Sequence, residues 1–127
     1  MLISAFVFGG TPQKAVKKAF AEADLYVSPT LLKEYRNVPL ELEAEGKIDH
    51  LQLNVLISGI ASVVAIARII TPLKTLHICR DHKDNMLLEC CLESRADALI
   101  TGDKDLLDIK ELPFDLKILT PQRFLEE

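Results

Sequence analysis

Apolar residues follow two patterns along this chain, helical spacings of three and four residues and short continuous runs. The first pattern predicts amphipathic helices and the second predicts buried strands. The main predicted helices begin near Thr11, Ser28, Asp49, Asp81 and Thr120, with shorter helical segments ending at Glu45 and starting at Leu106. The predicted strands are residues 25–27, 98–101 and 117–119.

Helices that alternate with short, wholly apolar strands indicate a parallel sheet covered on both faces. We therefore expect one α/β domain over residues 1–127, built as a three-layer sandwich with a central parallel sheet. No internal repeat or linker divides the sequence.

Proline positions set several predicted helix boundaries. Proline follows a capping residue in Thr11-Pro12, Ser28-Pro29 and Thr120-Pro121, which is typical of a helix start. Pro39 is predicted to break the second helix, and the long helix that follows is predicted to stop before Pro72. Residues expected to face inward are Ala15, Val16, Ala19, Phe20, Leu53, Leu56, Ile57, Ile60, Val63, Val64, Ala67, Met86, Leu87, Cys90 and Cys91.

The longest predicted helix has no charged residue between Leu51 and Ala67, a length close to that of a membrane span. Polar residues interrupt this stretch, and its large apolar residues fall on one stripe. A buried amphipathic helix is therefore the better interpretation, and no membrane contact is expected. Its outer positions are also uncharged, and they include Asn54, Ser58, Ala61, Ser62 and Ala65. Such a face suits contact between copies of the chain, so a homodimer or higher oligomer is expected.

Composition is that of an ordinary globular protein, with 49% hydrophobic and 27% charged residues and a formal net charge of −4. That charge argues against broad adhesion to nucleic acid, but it leaves room for an RNA-cleaving site, because metal-binding carboxylates are themselves negative. The cysteines Cys79, Cys90 and Cys91 do not form an even, spaced set, which favours a reducing cytoplasm. Cys79-x-x-His82 without further ligands is a weak zinc signal.

Acidic side chains gather where parallel sheets bind ligands, just beyond the carboxyl ends of strands. Asp103 and Asp105 directly follow the strand that ends at Thr101. Glu34 and Asp84 lie on predicted helices that reach the same edge. Converging carboxylates suit hard ions such as Mg²⁺ or Mn²⁺, which support phosphodiester hydrolysis. Structural interpretations stay open: a helix-dipole partner for Asp84, a solvated position for Glu34 and an ordinary turn at Asp103.

Five motifs in chain order carry a resemblance to a known family. They are Leu2-Ile3-Ser4-Ala5-Phe6-Val7-Phe8-Gly9-Gly10-Thr11-Pro12, Ser28-Pro29-x-Leu31-Leu32-x-Glu34, Cys79-Arg80-Asp81-x-x-Asp84-Asn85-x-x-Leu88-Glu89, Thr101-Gly102-Asp103-Lys104-Asp105-Leu106-Leu107 and Ile118-Leu119-Thr120-Pro121-x-x-Phe124-Leu125. Together they resemble the PIN-domain family, in particular its toxin branch from prokaryotic toxin–antitoxin systems, over nearly the whole chain. The resemblance implies a metal-dependent endoribonuclease that acts on single-stranded or structured RNA, with an antitoxin protein as partner.

The resemblance also implies roles for particular residues. The implied catalytic acids are Glu34, Asp84, Asp103 and Asp105; the implied Mg²⁺ or Mn²⁺ ligands are Glu34, Asp84 and Asp103; and Asn85 and Thr101 are implied to support the ligands or to contact substrate. The family opens with a strand that carries an aspartate, ahead of the segment that starts here at Leu2, and we expect this domain to lack that strand. Two hypotheses follow, an active nuclease and a catalytically inactive PIN-like module that binds or oligomerises.

Overall fold

The computed structural model describes residues 10–127, and most of the first motif of the resemblance lies outside them. The helices are α1 (Gly10–Glu22), α2 (Pro29–Ala44), α3 (His50–Ile66), α4 (His82–Ser94), α5 (Lys104–Leu107) and α6 (Pro121–Glu126). The strands are β1 (Tyr26–Val27), β2 (Arg68–Ile69), β3 (Ala98–Ile100) and β4 (Lys117–Leu119). This mixture of helices and parallel strands confirms the predicted α/β class.

The strands pair as two parallel ribbons. Tyr26 lies opposite Arg68 in the β1–β2 ribbon, and Ala98 lies opposite Lys117 in the β3–β4 ribbon. Within residues 10–127 the two ribbons are separate two-stranded sheets. The three-layer sandwich around one central sheet therefore stays a prediction.

Capping side chains start the helices where the sequence predicts. The hydroxyl of Ser28 accepts a hydrogen bond from the amide of Leu31 at 3.2 Å, and that of Thr120 accepts from the amide of Arg123 at 3.1 Å. Asp49 forms a capping box at the start of α3. α1 begins at Gly10, one residue before the predicted cap, which is the usual uncertainty of a helix end.

The predicted break at Pro39 is wrong, because α2 runs through it to Ala44. Proline in a helix loses one backbone hydrogen bond and crowds the preceding turn, at a cost of about 3 kcal/mol. The ring of Pro39 is almost wholly buried. Its packing offsets that cost, and a reading of the local sequence does not include such packing.

The long helix ends at Ile66, before Pro72 as predicted. The chain turns extended at Ala67 and forms β2, which the sequence did not predict. The amide of Arg68 donates to the carbonyl of Leu25 at 2.8 Å, and the amide of Ile70 donates to that of Val27 at 2.9 Å. Pairing with β1, a partner distant in sequence, therefore decides the conformation of this segment.

Two apolar clusters form the core of the described chain. One comprises Val27, Leu31, Met86 and Cys90, and the other comprises Ile48, Leu53, Leu56 and Ile60. Ala15, Val16, Ala19, Val63 and Cys91 are also buried as predicted. Phe20 and Ile57 were predicted inside but are 36% and 45% exposed, because each lies at the margin of its helix face. None of the helices described between residues 10 and 127 has the length and apolar character needed to cross a membrane.

Candidate metal centre

Three aspartates from two parts of the chain meet at one point. Asp84, Asp103 and Asp105 each offer a carboxylate oxygen, and these oxygens lie within 4.8 Å of one another. Asp84 is buried in the first turn of α4, whereas the other two are exposed at the start of α5. The predicted convergence of helix α4 with the turn after β3 is therefore present in the structure.

The turn after β3 positions Asp103 and Asp105. Thr101 is buried, and its hydroxyl accepts a hydrogen bond from the amide of Asp103 at 3.0 Å. The carboxylate of Asp103 in turn accepts from the amide of Asp105 at 2.9 Å and caps α5. The amide of Thr101 donates to the carbonyl of Leu119 on β4, which anchors the turn to the sheet.

Asn85 fixes the loop on the other side of the cluster. Its side-chain oxygen accepts hydrogen bonds from the amides of Ile78 and Cys79 at 3.1 and 2.8 Å, and its side-chain nitrogen donates to the carbonyl of Cys79 at 3.2 Å. Asp81 then caps α4 by accepting from the amide of Lys83 at 2.9 Å. Asn85 and Thr101, which the sequence singled out as supporting residues, thus hold the two segments that present the aspartates.

The three carboxylates make the site strongly electronegative. Burial and the neighbouring charge of Asp103 raise the pKa of Asp84 from 3.8 to about 6. Burial raises the pKa of the nearby Cys79 thiol above its usual value, and the charges of the same aspartates raise it further. A buried carboxylate beside two others is an unfavourable arrangement for anions, and a bound cation would relieve it.

Glu34 lies outside this group of three. Its carboxylate is 3.3 Å from the ammonium group of Lys83, an ion pair between α2 and the first turn of α4. A hydrogen bond to Glu34 and its charge raise the pKa of Lys83. Its role as a metal ligand stays a prediction, and the structure adds Lys83 as its partner.

Arg80 lies on the opposite flank, beside Asp105. One terminal guanidinium nitrogen, Nη2, is 3.2 and 3.3 Å from the two carboxylate oxygens of Asp105. No role was predicted for Arg80 or Lys83, although both stand within the motif that surrounds Asp84. Their place in this motif is the one feature of the sequence that could have pointed to them. Ion pairs depend on side-chain directions, which local sequence patterns do not define.

Residues of both ribbons, among them Val27 and Ile100, line one cleft of about 380 Å³. Its walls are mostly apolar. Glu34, Lys83 and Thr101 also line it, so the cleft reaches the flank of the acidic cluster.

Comparisons with known proteins cover the residues of this site. A family model described as "PIN domain" matches residues 1–105, a range that includes Glu34 and all three clustered aspartates. A Methanocaldococcus jannaschii protein described as uncharacterized is 30% identical over 136 aligned residues, which cover 100% of this chain and 86% of the relative. No solved structure matches the chain significantly.

Proposed function

Because this chain belongs to the PIN-domain family, we propose that it is an endoribonuclease that needs Mg²⁺ or Mn²⁺ and hydrolyses phosphodiester bonds in RNA. The family suggests a nuclease, and its members generally bind divalent metals. The observation that carries the proposal is the meeting of Asp84, Asp103 and Asp105 within 4.8 Å.

The donor set fits a hard divalent ion. Carboxylate oxygens are the ligands that Mg²⁺ and Mn²⁺ prefer, and the exposed side of the cluster leaves room for water and a substrate phosphate. Asp84 and Asp103 would hold the ion, with Asp105 beside them and Glu34 approaching from α2 after release from Lys83. When bound, such an ion lowers the pKa of an attacking water and offsets charge on the phosphate.

The protein's own residues position and desolvate the acidic group. Burial of Asp84 removes water from one side of the site, so its charge acts more strongly than an exposed carboxylate. The hydrogen bond between Thr101 and the Asp103 amide fixes the second acid, while Asn85 fixes the loop before α4. Asp84 and Asp103 are thereby held in place before substrate arrives, so no binding energy is spent on ordering these two acids.

The direct experiment is cleavage of end-labelled single-stranded and hairpin RNA by this chain in Mn²⁺ or Mg²⁺. We expect cleavage that EDTA abolishes and that either ion restores. Intact RNA after incubation with a folded, metal-loaded protein would overturn the nuclease proposal and favour the inactive PIN-like module.

The proposal extends to the cellular setting. We place the protein in the cytoplasm, which the three free thiols support, since such thiols persist in a reducing compartment. As in the toxin branch that the motifs resemble, a small antitoxin protein would mask the activity.

The outer face of α3 supports a further part of the proposal, a homodimer. This helix carries exposed Leu51, Val55 and Ile66, and it has no charged residue between His50 and Ala67. Large exposed apolar side chains on a charge-free helix are typical of an interface. Two copies of α3 packed across a two-fold axis would cover them.

Replacement of Val55 by Glu is expected to shift the dimer to monomer, because it introduces two like charges near the proposed axis. Sedimentation velocity at micromolar concentration would measure the shift. Leu73→Glu is the matched control, since Leu73 is 86% exposed and lies outside α3, and it should leave the dimer intact. A wild-type protein that sediments as a monomer at every concentration would contradict the dimer.

A further inference from the structure

Arg80 is an exposed cation held beside an acidic site. Its side chain is 88% exposed, yet Nη2 lies within 3.3 Å of both carboxylate oxygens of Asp105. An exposed ion pair of this kind contributes only about 0–1 kcal/mol to stability. Stability alone therefore gives little reason for an arginine at this position.

The backbone around Arg80 is fixed on both sides. Cys79, the preceding residue, exchanges two hydrogen bonds with the side chain of Asn85. Asp81, the following residue, caps α4. The backbone of Arg80 is thereby held next to the cluster, while its long side chain extends into solvent, where a ligand can reach it.

The guanidinium of Arg80 has hydrogen-bond donors that Asp105 does not use. Asp105 engages only Nη2, and within residues 10–127 no acceptor contacts Nη1 or Nε. Arginine presents its donors in a planar fork that matches phosphate oxygens, so these donors can bind a phosphate next to the acids.

The charge of the protein favours a cation beside the acidic cluster. With a net charge of −4 and three carboxylates at the site, a polyanion would be repelled before any ion screened the cluster. Arg80 and Lys83 stand on the two flanks, paired with Asp105 and Glu34. Of the two, Arg80 is more exposed and leaves more donors unused, so it is the better placed for a phosphate.

We infer that Arg80 is a substrate-positioning residue, which Asp105 holds in the absence of RNA and which binds a backbone phosphate of the RNA strand when the substrate arrives. This inference rests on the proposed ribonuclease function and names a residue for recognition of its substrate. Transfer of the guanidinium from Asp105 to phosphate also frees the Asp105 carboxylate for the metal. Arg80 would thus couple RNA binding to ion binding.

The experiment compares Arg80→Gln with wild type by fluorescence anisotropy of a labelled single-stranded RNA, with the intactness of the probe checked on a gel. The variant should bind RNA about 10-fold more weakly, the loss expected for a hydrogen bond to a charged group. The slope of the logarithm of affinity against the logarithm of salt concentration should also become shallower by about 0.7, the value for one phosphate contact to a single strand. Calorimetric Mn²⁺ affinity should be equal to or tighter than that of wild type.

Arg68→Gln is the matched control, because Arg68 is an exposed arginine paired with Asp24 at 3.8 Å, away from the cluster. It should leave RNA affinity, salt slope and Mn²⁺ affinity unchanged. Arg80→Lys keeps the charge without the fork and should recover the salt slope but only part of the affinity.

Two results would overturn the inference, and they can be told apart. If wild type binds and cleaves RNA but Arg80→Gln alters only Mn²⁺ affinity, Arg80 acts on Asp105 alone and the nuclease proposal survives. If wild type neither binds RNA nor cleaves it in Mn²⁺, both proposals fail together.

Discussion

Replacing Asp84 by Asn is expected to reduce metal-dependent RNA cleavage by at least about 100-fold. Removing a group that only supports a metal ligand already costs up to about 100-fold, and a ligand itself should matter more. Asn has nearly the same shape, so α4 should keep its first turn while the site loses its only buried charge. The measurement is the cleavage rate of labelled RNA at saturating Mn²⁺, with Mn²⁺ affinity from calorimetry.

Asp81→Asn provides the control for that experiment. It makes the same chemical change three residues away, and Asn caps a helix as well as Asp does. Its cleavage rate should stay within a few-fold of wild type. Undiminished cleavage by the Asp84 variant would remove Asp84 from the proposed site.

The second large effect expected of Asp84→Asn is a gain in stability, in contrast to the loss of cleavage. The pKa of Asp84 is about 6 in the folded protein against 3.8 unfolded, so the folded state holds its proton more tightly. This carboxyl therefore favours folding below about pH 4, and its contribution is lost as pH rises through about 6. Two pKa units correspond to at most about 3 kcal/mol of unfolding free energy.

Asp84→Asn should accordingly be more stable than wild type in EDTA at pH 8, and the difference should vanish near pH 4. Urea unfolding of both proteins at a series of pH values would measure this difference. Subtracting the two unfolding free energies removes the contribution of the other carboxylates. Added Mn²⁺ should stabilise wild type but not the variant, because the ion binds the folded, ionised site. Equal pH profiles for both proteins would contradict the raised pKa.

The outcome of both experiments bears on the usual conflict between activity and stability. Under the proposed function, a buried carboxylate among other acids is kept at a cost in stability. Substitutions that relieve the repulsion should then stabilise the metal-free chain and lower its rate of RNA cleavage.

Local signals predicted the parts of the fold that depend on neighbours in sequence. The caps at Ser28, Asp81 and Thr120 are present because each side chain bonds an amide two or three residues away. Pro39 and strand β2 were mispredicted because burial and a distant strand override the local preference. A single sequence does not contain the partner that decides such segments.

The predictions for the candidate site divide in the same way, between features set by local sequence and features set by tertiary packing. Asp103 and Asp105 were found because residues that follow an apolar strand lie at its carboxyl end, although β3 is only partly buried and not the buried strand predicted; their meeting with Asp84 follows from the α/β topology. The membership in the PIN-domain family is confirmed, whereas the toxin branch stays a prediction. The pairing of Glu34 with Lys83 was not predictable, since it depends on how α2 and α4 pack.

The hydrogen bonds of Asn85 divide the site into a rigid side and an adjustable side. The loop at Ile78 and Cys79 is tied through Asn85 to α4, next to the buried Asp84. Asp103 and Asp105 stand on an exposed turn, where the hydroxyl of Thr101 binds the amide of Asp103 and only the exposed side chain of Arg80 pairs with Asp105. Differences in ionic radius, such as that between Mg²⁺ and Mn²⁺, would therefore be absorbed by the turn, and the buried aspartate would act as the fixed reference from which the coordination distances are set.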